Sequence, residues 1–214
     1  MAVTGLILSG FVVAHMLGNL QIFLGPAALN GYAEHLQEMP YLLWPARVIL
    51  LATLILHMAL AAQLTLENRK ARPVAYAFKD TVQASYASRT MMMSGIIIFL
   101  FIVYHLLHFT FGLTNPEYYG VADDQGRHDV YAMVVMSFRD APIAFTYILA
   151  MAVLCLHLSH GLRSFPQSLG FDTQKHAHAV DFFAWAFTVA IFLGNCSIPA
   201  AVFLNLIALP GRAG

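Results

Sequence analysis

Long apolar runs separated by short polar links set the plan of this chain. Five runs exceed the ~20 residues that a helix needs to cross the hydrocarbon core of a bilayer. They occupy residues 2–24, 41–66, 90–112, 141–163 and 182–209. The first stops at Gly25-Pro26, a turn signal. No basic stretch precedes it and no clear small-residue cleavage site follows, so the pattern predicts a retained span rather than a signal peptide. Within the polar link 114–140, the stretch VYAMVVMSF predicts a short amphipathic helix at the membrane interface. The expected fold is all-α, a polytopic bundle of five transmembrane helices forming one domain over residues 1–214.

Composition sharpens this picture. The 214 residues are 59% hydrophobic and only 10% charged, against about 25% charged in soluble domains. No polar stretch is long enough to bury a core of its own, so no soluble domain is expected. A membrane-filling chain with net charge +0 also argues against nucleic acid as a partner. Cys155 and Cys196 lie inside apolar runs without a CxxC spacing and read as small buried hydrophobes.

Charge orients the spans. The links after the second and fourth runs, with their flanks, hold Arg69, Lys70, Arg72, Lys79, Arg89, Arg163 and Lys175, seven of the eleven basic residues. The opposite side holds Arg47, Arg127, Arg139 and Arg212, with seven of the eleven acids. Lys and Arg mark the cytoplasmic side. The expected topology is a multi-pass protein of the cell (inner, cytoplasmic) membrane, N-terminus inside and C-terminus outside.

The chemistry lies in the histidines. A histidine within a span is a functional-site hypothesis by default, and four runs carry one or two: His15, His57, His105 with His108, and His157 with His160. At a rise of ~1.5 Å per residue, His57 and His157 each lie roughly 24 Å into spans entered from outside, in the inner half. His105 falls in the outer half, and His15 leans the same way. Two histidines from different helices therefore share each level. Two neutral imidazoles facing each other can fill both axial positions of a haem iron, an arrangement suited to electron transfer. The span interiors contain no acid, which counts against a proton relay. Two ligands per level would leave zinc half-coordinated. Three residues along a helix separate directions by about 60°, so facing alone does not choose between His105 and His108, or between His157 and His160. Depth favours His105 and His157.

Arg47, at the outer end of its span, reads either as a snorkelling anchor or as a cation for the propionates of the outer haem. Arg89 and Arg163 carry the same two readings at the inner surface. Gly18, Gly95 and Gly161 predict close helix packing.

Several stretches together resemble the di-haem cytochrome b subunit of succinate dehydrogenase/fumarate reductase: VTGLILSGFVVAHMLGNL, LNGYAEHL, ENRKARPVAY, YASRTMMMSGIIIFLFIVYHLLHF and HLSHGLRSFPQSLG. The resemblance spans essentially the whole chain. It implies two haem b groups, the iron ligands being His15 paired with His105 and His57 paired with His157. It implies a flavoprotein subunit carrying FAD, where the dicarboxylate chemistry resides, and an iron–sulfur subunit docked on the basic face. Electrons would then run between that subunit and a membrane quinone, ubiquinone or menaquinone, as part of respiratory electron transport and the tricarboxylic acid cycle. Glu34 and His35, on the outer side, are candidates for the quinone site. The alternatives are a bis-histidine cytochrome b of formate dehydrogenase or hydrogenase type, and a non-redox membrane anchor or transporter.

Overall fold

The computed structural model describes residues 1–71, 89–171 and 175–209, and these are all-helical apart from turns and one isolated bridge between Ala122 and His128. Helix α1 (Ala2–Asn19) continues as a 3₁₀ turn to Leu24 and ends at Gly25, whose φ of 97° is open to glycine. Helix α2 (Pro26–Gln37) and helix α3 (Pro40–Lys70) each start on a proline, whose missing N–H costs nothing in a first turn. Helix α4 (Met91–His105) passes into a π turn, Leu106–Thr110. A single turn, α5 (Pro116–Tyr119), precedes α6 (Val130–Arg139). Asp129 caps α6 by accepting from the Ala132 N–H, and Asp140 caps α7 (Ala141–Ser168) by accepting from Ile143. The last helix is α8 (Ala177–Phe203).

Among the described residues, five segments are long and apolar enough to span a membrane: Ala2–Leu24, Pro40–Lys70, Met91–Thr110, Ala141–Ser168 and Ala177–Phe203. The first four agree closely with the sequence pattern, although α3 and α7 run several residues beyond their apolar stretches. The fifth is displaced: it begins at Ala177 rather than 182 and stops at Phe203 rather than 209. Asn205, in the left-handed region at φ 57°, turns the chain there, so Ile207 folds back into the protein. Arg72, Lys79 and Arg212 lie outside the described residues.

Helix α7 packs most extensively on α8 and also against α4, while α1 bridges α3 to the α7–α8 pair. Small and hydroxylated side chains face inward: Thr4, Ser9, Thr53, Ser94, Ser137 and Thr188 are buried. Large apolar ones face outward, among them Phe11, Val48, Leu51, Leu100, Phe145 and Trp185. That reversal suits a lipid surround, where burying apolar area between helices gains little and close packing and hydrogen bonds gain more. Every buried side-chain polar atom among the described residues has a partner.

Among the described residues, glycines permit close approach between helices at two places. A Cβ at Gly194 on α8 would collide with the Met16 thioether on α1, and one at Gly18 would lie 2.7 Å from the Tyr32 hydroxyl. The packing role expected for Gly161 is not borne out, because a Cβ there would meet nothing within 4 Å. The expectation for VYAMVVMSF needs correction as well. The helix forms, but Tyr131, Ala132, Met133, Val135, Ser137 and Phe138 are all buried, against α2, α7 and α8. Its apolar residues close one end of the bundle instead of spreading over a lipid surface.

Candidate functional site

Helix α1 is not among the main backbone neighbours of α4, nor α3 of α7. Both pairs meet instead through histidine rings. His15 on α1 and His105 on α4 have ring centroids 5.7 Å apart, with planes at 89°. His57 on α3 and His157 on α7 have centroids 6.5 Å apart, with planes at 62°. One ion held by both rings through metal–nitrogen bonds of about 2.0–2.1 Å would set centroids roughly 6 Å apart. The donor set is two neutral imidazoles per level from opposing helices, which suits the axial positions of a haem.

The surroundings of these rings are also suited to a flat group. Gly5 and Gly95 lie beside the second level, where a Cβ on either would stand 3.6 Å from Cε1 of His57 or His157 respectively. Larger side chains at those positions would enter the space beside the rings. Polar contacts fix ring orientation: Thr4 Oγ1 lies 2.9 Å from Nδ1 of His57, and Ser94 Oγ lies 3.0 Å from Nδ1 of His157. At the other level, His105 Nδ1 lies 3.4 Å from the Tyr147 hydroxyl, and His15 stacks on Phe11 at 5.4 Å.

The neighbouring histidines are placed differently. His108 is 2% exposed, with Nδ1 2.9 Å from the Tyr147 hydroxyl and Nε2 3.1 Å from Ser137 Oγ. The Ser137 proton goes to the Met133 carbonyl at 2.7 Å, so Nε2–H of His108 donates to Ser137 and Nδ1 accepts from Tyr147. Both nitrogens are thereby used. The π turn that begins at Leu106 adds a residue to the helical repeat, and it turns His108 toward α6 while His105 faces His15. No facing argument based on a regular helix could have found this. His160 has neither a hydrogen-bond nor a ring partner among the described residues.

The predicted cations lie at the periphery. Arg47 is exposed and stacks over Trp44 at 5.2 Å from the ring centroid. Arg163 donates to Asp181 at 2.7 Å, a half-exposed ion pair that the sequence did not suggest. Arg89 precedes α4.

A second polar cluster went unrecognised in the sequence. Asn30, 1% exposed, donates to Asp123 at 3.2 Å and to Asp129 at 2.9 Å, and its carbonyl accepts from the Tyr131 N–H at 2.9 Å. Arg127 donates to Asp123 at 2.8 Å and reaches Glu34 at 3.5 Å. Burial pushes the Asp123 carboxyl up, but hydrogen bonds from the Arg127 side chain, the Arg127 and Gln125 backbones and Asn30 outweigh it. They hold the group at about 2, against an ordinary 3.8. Glu34, Asn30, Gln37, Arg127 and His128 line a cavity of about 100 Å³, below the ~300 Å³ typical of a small-molecule site. The signal available in the sequence was Asp129 directly before an apolar helical stretch, a cap that ties this loop to α6.

Neither a curated protein nor a solved structure matches this chain. Residues 65–195 match the family described as succinate dehydrogenase/fumarate reductase transmembrane subunit. The matched stretch includes His105 and His157, whereas His15 and His57 lie before it and are joined to them here by geometry. With the match covering more than half of the chain and five membrane-length helices in the structure, this protein belongs to the succinate dehydrogenase/fumarate reductase transmembrane-subunit family.

Proposed function

We propose that this chain, as the membrane anchor of a succinate dehydrogenase/fumarate reductase complex, carries electrons between an iron–sulfur subunit and a membrane quinone by holding two haem b groups. The observation that carries the reading is the meeting of four histidines, one from each of the first four spans, as two ring pairs and not as a cluster or a scatter. His57 and His157 hold one group, and His15 and His105 the other. A haem held in this way would supply one-electron transfer and would offer oxygen no place to bind.

The remaining roles belong to the chain's own residues. Gly5 and Gly95 leave room beside the rings of His57 and His157. Arg89 and Arg163, the latter on leaving its ion pair with Asp181, would supply cations for the carboxylates of the group nearer the basic links, and Arg47 would do so for the other. The basic links are cytoplasmic and receive the iron–sulfur subunit, beyond which lies the flavoprotein with its FAD. The quinone meets the chain on the side of the His15–His105 level.

The test is haem content. A pyridine haemochromogen assay of the intact complex, set against the amount of this chain, is expected to give two haem b per chain. One or none would overturn the reading.

A further inference from the structure

Spans one and three carry the same short pattern at the same spacing. Thr4-Gly5 stands eleven residues before His15, counted from the hydroxyl residue, and Ser94-Gly95 stands eleven before His105. The correspondence continues in space. Each hydroxyl meets Nδ1 of a histidine on the following span, Thr4 with His57 at 2.9 Å and Ser94 with His157 at 3.0 Å. Each adjacent glycine lies against Cε1 of that same imidazole, with 3.6 Å left for a Cβ in both cases. Spans one and two are thus built like spans three and four around this level.

The hydroxyl protons are already committed. Thr4 Oγ1 donates to the Met1 carbonyl at 2.8 Å, and Ser94 Oγ donates to the Met91 carbonyl at 3.0 Å, in each case the carbonyl three residues back. A hydroxyl has one proton and two lone pairs. With the proton on a carbonyl, the oxygen can only accept from the ring. Nδ1 therefore carries the ring proton, and Nε2 keeps its lone pair. Both hydroxyl residues are buried, Thr4 at 7% and Ser94 at 4% exposure, so water does not compete for these bonds.

The geometry points to Thr4 and Ser94 as a matched pair of positioning residues. They hold His57 and His157 as the tautomer that ligates through Nε2 and raise the basicity of both rings. This rests on the reading of His57 and His157 as haem ligands. At the other level neither hydroxyl is in reach: Tyr147, whose proton goes to His108, stands at a longer 3.4 Å from His105 Nδ1, and the His15 ring has no hydrogen-bond partner among the described residues. The influence of the two hydroxyls is therefore confined to one haem of the two.

The experiment is a comparison of Thr4→Val, Ser94→Ala and the conservative Thr4→Ser and Ser94→Thr in the assembled complex. Redox titration of each haem band is combined with the rate of haem loss to a haem-scavenging acceptor protein. Outer-shell hydrogen bonds to a ligating histidine are worth 10–100-fold in metal affinity. Thr4→Val and Ser94→Ala are each expected to speed loss of the His57–His157 haem by about 10–100-fold. Each should also raise that haem's midpoint potential, since a less basic ligand favours the reduced iron, and leave the other haem unmoved. The conservative variants should behave as wild type. Unchanged loss and potential in Ser94→Ala would overturn the proposal, as would equal shifts in both haems. Should Thr4→Val fail to assemble, Ser94→Ala and Ser94→Thr decide alone. A wild-type complex with fewer than two haems would instead overturn the underlying assignment of ligands.

Discussion

His108 and Tyr147 are hydrogen-bonded to each other inside the protein, His108 Nδ1 lying 2.9 Å from the Tyr147 hydroxyl. With Ser137 on its other nitrogen, His108 has no lone pair left for a metal. It braces α4 against α6 and α7. Replacing it by Ala takes the acceptor from the Tyr147 hydroxyl, a loss of about 1–3 kcal/mol for an unsatisfied buried group, while Ser137 keeps its bond to the Met133 carbonyl. His108→Ala is expected to lower the unfolding temperature of the complex while both haems remain. Loss of one haem with an unchanged unfolding temperature would show that the roles of His105 and His108 had been exchanged.

The Asn30–Asp123–Arg127 cluster gives a pH-dependent contribution with a definite sign. The Asp123 carboxyl sits at about 2 in the folded protein against an ordinary 3.8. A depressed carboxyl stabilises the fold fully above its unfolded value, and the contribution fades as pH falls from about 4 toward 2. Asp123→Asn is expected to be less stable than wild type at neutral pH, with the difference shrinking through that window. The check is thermal unfolding of both proteins from pH 7 downward. A difference that stays constant to pH 2 would assign the effect to shape instead of charge.

Gly194 and Met16 form a contact in which a Cβ at Gly194 is accommodated only if the Met16 side chain moves. Gly194→Val drives a side chain into the Met16 thioether, and overpacking of this kind costs about 1–3 kcal/mol. Met16→Ala in the same chain should recover part of that loss, because the two positions are coupled. Thermal unfolding of the two single variants and the double variant measures the coupling. Strict additivity would mean that α1 and α8 are not held together here.

The basic face is expected on the cytoplasmic side. A cysteine placed at Lys70, the last residue of α3, should react with a membrane-impermeant thiol reagent only in inverted vesicles. Reaction in intact cells would reverse the topology.

The spans and the histidine levels were readable because both depend on simple periodicity. Twenty apolar residues and a fixed rise per residue place His57 level with His157. What stayed hidden depends on single residues that redirect the chain. The left-handed Asn205 ends α8 six residues before its apolar run does. The π turn after His105 gives His108 a facing that a regular helix would not. The helix Val130–Arg139 has the amphipathic pattern of an interfacial segment, and nothing in that pattern distinguishes a lipid surface from the end of a bundle. Asn30 sits in a link that reads as polar and exposed, and only the fold reveals it as a buried hub.

The central claim is that the four histidines act as two separate pairs, and single replacement of each by Ala tests it most directly. Visible and low-spin resonance spectra of the four assembled variants are compared under redox titration. The account predicts two classes: His57→Ala and His157→Ala lose one and the same low-spin signal, while His15→Ala and His105→Ala lose the other. Any variant that keeps both signals, or a loss shared by His15→Ala and His57→Ala, would contradict it.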